Sequence, residues 1–122
     1  MRVLVTGSAG FIGFHTCLRL LEAGASVLGI DNFDPYYDVS LKEARNARLE
    51  AHERFTVDRI GIEDMSAFEG VWRDFAPDVA IHLAAQAGVR YSVDHPESYI
   101  RSNLIGTFNV LELARHHPVR HL

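Results

Sequence analysis

Cysteine is almost missing from this sequence: Cys17 is the only one in 122 residues, which excludes an internal disulfide framework and any cysteine-built metal site. A reducing cytoplasm is the expected compartment. Long apolar runs are missing too, since none approaches the roughly 20 residues of a spanning helix. Met1-Arg2 leads straight into a strand-like run, so neither a membrane span nor a secretory leader is expected. Positive charge is in short supply. Twelve Lys and Arg stand against 16 Asp and Glu, a net charge of −4, and they are scattered, so no basic field favours nucleic acid. His116, His117 and His121 lack a carboxylate or cysteine spaced to complete a metal site, and no metal is expected. Repeats and low-complexity tracts are also missing. What remains is ordinary for a globular domain: 48% apolar and 23% charged residues, enough for one core at this length.

The chain alternates strand and helix signals. Val3-Leu4-Val5 is a run suited to a strand buried on both faces of a parallel sheet. After Thr6-Gly7-Ser8-Ala9-Gly10, the residues Phe11, Phe14, Leu18 and Leu21 recur at helical spacing, and Gly24 suits a C-cap. Val27 to Ile30 reads as a second strand, and Asp31 to Ser40 is the most loop-like stretch. Ser40 and Glu43 form a capping box for a largely exposed helix to about Ala51, with a thin stripe of Leu41, Ala44 and Ala47. Phe55 to Ile60 is a third strand, followed by a helix N-capped by Asp64 and carrying Met65, Phe68, Trp72 and Phe75. Val79 to Leu83 is a fourth strand, which places the small-residue loop Ala84 to Val89 at its C-terminal end, where ligands gather in α/β sheets. A long helix from Pro96 carries Ile100, Leu104, Phe108 and Leu111 to about His116, and Val119 to Leu122 begins a fifth strand. This order predicts an α/β fold: a Rossmann-type, doubly wound parallel sheet, truncated at the start of its fifth strand.

Two features carry chemistry. Gly7, Gly10 and Gly13 lie between the first strand and its helix, with a first gap one residue longer than in G-x-G-x-x-G. Gly7 suits the tight turn, Gly10 admits a diphosphate to the backbone, Gly13 lets helix and strand pack closely, and the helix N-terminus supplies N–H donors. Asp31 ends the second strand about 20 residues further on, where an acid reads the adenosine ribose and repels a 2′-phosphate. NAD is therefore expected over NADP. His82 reads as a hydrogen-bonded strand residue and Cys17 as a small buried one.

Together, V-L-V-T-G-S-A-G-F-I-G, D-N-F-D-P-Y-Y-D-V-S-L-K, H-L-A-A-Q-A-G-V-R-Y-S and S-N-L-I-G-T-F-N-V-L-E resemble the extended short-chain dehydrogenase/reductase family. They are most similar to its UDP-glucuronate 4-epimerase branch, through essentially the whole chain. The resemblance implies that Gly7, Gly10, Phe11, Ile12 and Gly13 cradle the NAD diphosphate, Asp31 and Asn32 the ribose, and Ile62 the adenine. Leu83, Ala84, Ala85 and Gln86 would line the path to the nicotinamide ribose, with Asn103 as a buttress. Arg90 would face the sugar nucleotide, although by itself it reads as an ordinary loop arginine. Where the family has Asp-Leu after the third strand to read the adenine amino group, this chain has Gly61-Ile62. One base contact fewer is expected.

The family's proton transfer is made by a Tyr-x-x-x-Lys pair, which takes the sugar 4-hydroxyl proton while hydride passes to NAD. No lysine follows Tyr36, Tyr37 or Tyr91 four residues on, and Leu122 precedes the position of the pair. Residues 1–122 are thus expected to be the cofactor part of a sugar-nucleotide 4-epimerase, inactive alone, with the catalytic and substrate-binding part absent. Its rivals are a 4,6-dehydratase or decarboxylase of the same family, and a non-catalytic NAD-binding or interaction module. A UDP-sugar is the implied partner. Homodimerisation or self-association is expected through the long helix and an exposed fourth-strand edge.

Overall fold

A computed structural model describes residues 1–122. Four strands, β1 (Arg2–Thr6), β2 (Ser26–Ile30), β3 (Phe55–Asp58) and β4 (Val79–His82), form one sheet in the order β3-β2-β1-β4. Every pairing is parallel. The helices are α1 (Phe11–Glu22), α2 (Val39–Glu50), α3 (Met65–Phe75), α4 (Tyr91–Asp94), α5 (Pro96–Tyr99) and α6 (Thr107–His116), with a π-helical segment over Ile100–Gly106 joining the last two. The expected Rossmann-type sheet is therefore present.

Strand alternation sorts the core into two layers. Val3, Val5, Val27 and Phe55 meet Phe14, Cys17 and Leu21 of α1 and Leu49 of α2. Leu4, Leu28, Ile30 and Ala80 meet Phe68 and Trp72 of α3 and Val110 and Leu113 of α6 on the other face. The rings of Phe68 and Trp72 pack edge to face at 5.7 Å. Burial pushes the Cys17 thiol up to about 12, which leaves it a packing residue without thiolate character.

Several local expectations change. The cap of α2 is Asp38, whose carboxylate accepts from Ser40 N at 2.8 Å, and Glu43 pairs with Arg59 at 2.6 Å instead of closing a capping box on Ser40. Helix α2 is largely exposed, as expected, but buries Asn46 and Leu49 while Leu41, Ala44 and Ala47 face outward. Strand β3 stops at Asp58 and β4 at His82, each short of its expected end. Phe11 is 68% exposed, because as the first residue of α1 it stands on the glycine turn and not over the sheet. The Pro96–His116 rod is helical throughout but not one α-helix, since its middle widens into the π segment. Gly106, Asn109, Val110 and Leu113 face inward, while Ile100, Leu104, Phe108 and Leu111 are exposed. The fifth strand amounts to one parallel bridge, Val79 to His121. With Ala80 N donating to His121 O at 3.0 Å, the outer edge of β4 is partly covered.

A candidate binding cleft at the carboxyl ends of the strands

Thr6 ends β1 and ties the sheet together at its C-terminal rim. Its hydroxyl oxygen accepts from Leu83 N and Ala84 N at 3.0 and 3.1 Å and lies 2.7 Å from His82 Nδ1. With both lone pairs engaged, the single hydroxyl proton goes to Nδ1, so His82 carries its own proton on Nε2 and donates to Thr107 Oγ1 at 3.0 Å. Burial lowers the His82 pKa below its usual 6.5. His82 is thus a neutral strut between β4 and α6.

The chain then reverses at Gly7, whose φ of +73° is costly for any residue with a Cβ. A Cβ there would also meet Ala84 N at 2.9 Å. Gly13 sits on the back of the same turn, where a Cβ would collide with the Gly7 carbonyl, 2.7 Å from its carbon. The first helical bond of α1 runs from Phe14 N to Gly10 O at 2.9 Å. The N–H groups of Phe11, Ile12 and Gly13 therefore precede the helical ladder and form a donor set at the positive end of the helix dipole.

A cleft of about 350 Å³ opens over this turn. It runs across the rim from the residues after β3 (Ile60, Ile62, Glu63), past Asp31 and Asn32 after β2 and Gly7, Gly10 and Phe11 after β1, to Leu83, Ala84, Ala85 and Gln86 after β4. The strand order makes that sequence of loops continuous. Ten of the sequence-derived site residues thus share one wall. The other four stand off it: Gly13 lies behind the turn, Ile12 is exposed on α1, and Asn103 bridges Gln86, accepting from its N at 2.7 Å and donating to its O at 3.2 Å. Arg90 is exposed at the start of α4, outside the cleft lining.

Asp31 is 6% exposed and organises the middle of the cleft. Its Oδ2 accepts from Ala9 N at 3.0 Å, while Oδ1 accepts from Phe33 N at 2.8 Å and Lys42 Nζ at 3.2 Å. One carboxylate thereby locks the glycine turn to β2 and keeps a lone pair on Oδ2 for a ligand hydroxyl. Lys42 and Arg45 line the cleft from α2, and Tyr36 and Tyr37 from the loop before it; none of these is given a binding role by the sequence. The available signal was positional: Leu41, Lys42 and Arg45 share one face of the first turns of α2. Asn109 is a further omission. Buried in α6, its Nδ2 donates to Ile62 O at 2.9 Å and Glu63 O at 3.2 Å, fixing the loop after β3.

Known proteins share this fold. The chain is 48% identical over 122 residues to a probable UDP-glucuronate 4-epimerase of Rhizobium meliloti, spanning all of this chain and 36% of that protein. It is 46% identical over 113 residues to UDP-glucuronate 4-epimerase 2 of Arabidopsis thaliana, covering 93% of this chain and 26% of the relative. The chain therefore spans about a third or less of the length of these relatives. The crystal structure of UDP-glucuronic acid 4-epimerase from Bacillus cereus, in complex with UDP-glucuronic acid and NAD, superposes with a TM-score of 0.87 at 36% identity, over 99% of this chain and 39% of that one. The GDP-mannose 4,6 dehydratase family model matches residues 4–121, and the chain belongs to that family.

Proposed function

We propose that residues 1–122 form the NAD-binding part of a UDP-sugar 4-epimerase whose substrate is UDP-glucuronate. The observation that carries this reading is the continuous cleft in which a glycine turn, a helix N-terminus and the Asp31 carboxylate face one volume. The residues present fit the cofactor. Side chains are missing at Gly7 and Gly10, where a diphosphate has to approach, and the N–H groups of Phe11, Ile12 and Gly13 supply donors without a basic residue. Asp31 accepts from a ribose hydroxyl and disfavours a 2′-phosphate. Leu83 to Gln86, held by Thr6 and Asn103, shape the far end. Bound NAD supplies the hydride acceptor and donor of an epimerisation through a 4-keto sugar. The names of the matched relatives favour that outcome over dehydration.

The proton-transferring tyrosine and its lysine are assigned to protein outside these residues, so this chain alone binds cofactor without turning over sugar. Arg90 is assigned to the sugar-nucleotide side. Self-association is assigned to the exposed face of Ile100, Leu104, Phe108 and Leu111, in a reducing cytoplasm that suits a lone buried thiol. No helix is long and apolar enough to cross a membrane.

Thermal unfolding tests the cofactor reading. A ligand that binds only the folded chain raises its stability by RT ln(1 + [L]/Kd), about 2.7 kcal/mol at a hundredfold excess over Kd. NAD is expected to raise the unfolding temperature, and NADP at equal concentration to raise it less. Equal shifts, or a larger one with NADP, would remove Asp31 from its role.

A further inference from the structure

The loop after β3 holds a carboxylate in a place the sequence does not advertise. Gly61 has no side chain, yet the space beside it is filled: a Cβ built there would lie 2.6 Å from both Cδ and Oε1 of Glu63, with Oε2 nearer still. The Glu63 side chain therefore folds back over its own loop and sets its carboxylate where a residue 61 side chain would begin. This placement is held from behind. Asn109 fixes the carbonyls of Ile62 and Glu63, and Ile62 packs on Gly106, where a Cβ would meet Ile62 Cγ1 at 2.5 Å.

Glu63 also lines the cleft beside Ile60 and Ile62, and its Oε2 is buried with no hydrogen-bond partner in the protein. A carboxylate oxygen only accepts, and a buried acceptor without a donor is unfavourable. Ile60 and Ile62 offer apolar surface for a flat ring. Because Glu63 lines the cleft, the partner its unpaired carboxylate lacks is a donor on that ring's edge.

Resting on the cofactor reading above, we infer that Glu63 reads the base of the dinucleotide, accepting from the exocyclic amino group of adenine in the space an aspartate at position 61 would use. The expected lost contact is then relocated by two residues and not lost. A 6-amino group gives the carboxylate a donor, whereas a 6-keto group sets oxygen against oxygen, so the cleft selects an adenine over a hypoxanthine dinucleotide.

Calorimetric titration with NAD and with nicotinamide hypoxanthine dinucleotide tests this. The wild-type chain is expected to bind NAD at least about tenfold more tightly, the difference made by one hydrogen bond to a charged group. Glu63→Gln keeps the shape of the side chain and can turn its amide to offer either an acceptor or a donor, so the preference collapses toward unity with the fold intact. Gly61→Asp combined with Glu63→Ala returns a carboxylate to the same space and restores the preference. Equal wild-type affinities, or a preference that Glu63→Gln leaves unchanged, would overturn the assignment to Glu63 while the cofactor reading stands. Absence of NAD binding by the folded wild-type chain would overturn both.

Discussion

The two ends of the cleft are built from different material. At the glycine turn the groups proposed to meet the ligand are backbone N–H donors, and the critical requirement is that Gly7 and Gly13 carry nothing, because a Cβ at either position meets backbone atoms within 3.0 Å. At the loop after β3 the cleft-lining groups are side chains, Ile60, Ile62 and Glu63, and the backbone is held by Asn109 from a helix far along the sequence. A backbone site tolerates no substitution at its glycines. A side-chain site can move its functional group to a neighbouring position, since only the place of the carboxylate matters and not the residue that bears it.

Breaking the backbone end should have the largest effect. In Gly13→Ala the new methyl runs into the carbonyl of Gly7, and neither side of the contact is a flexible side chain. A loss of about 3 kcal/mol is expected by denaturant unfolding, at the upper end for overpacking, together with loss of NAD binding. An intermediate effect is expected from Asn109→Leu, which removes the donor shared by the Ile62 and Glu63 carbonyls. The bond to Ile62 O is buried and the bond to Glu63 O partly so, and the cost should be about 2 kcal/mol. Discrimination between NAD and its hypoxanthine analogue should weaken more than overall affinity does. If Asn109→Leu destabilised the chain more than Gly13→Ala, the contrast between the two ends would be reversed.

The smallest effect is a pH dependence at the rim they share. Folding lowers the pKa of His82 from its usual 6.5 through burial, so the unfolded chain binds the proton more readily than the folded one. The stability contributed by neutral His82 is complete above that usual value and is lost as pH falls through the lowered one. Unfolding temperatures measured downward from pH 7 should decline in this window. His82→Gln, which keeps one donor toward Thr107, should flatten that decline and leave acid unfolding by carboxylate protonation in place.

The same contrast explains what was legible in the sequence. The parallel strands, the glycine turn and the place of Asp31 were readable because each rests on a local rule: an apolar strand run, a missing Cβ, or an acid at the end of the second strand. The base end was not. Gly61 looked like a lost contact, because only coordinates show that Glu63 folds back to fill the space, and Asn109 was invisible as a support because its partners lie 46 and 47 residues away. The helical rod shows the same limit. Spacing placed Ile100, Leu104, Phe108 and Leu111 on one stripe, but Val110 and Leu113 are the residues of α6 that reach the core, and this stripe faces outward. Asp38 took the cap of α2 from Ser40 because its carboxylate reaches Ser40 N directly, a choice between adjacent caps that composition does not make.

The central claim is that the cleft over the glycine turn is a dinucleotide site organised by Asp31. Calorimetric titration of NAD into the folded chain, beside Asp31→Ala, tests it most directly. Binding by the wild type, weakened at least about tenfold in the variant by loss of the ribose contact and of the bond to Ala9 N, is the expected result. A folded wild-type chain that takes up no NAD, or an Asp31→Ala chain that binds it equally well, would contradict the account.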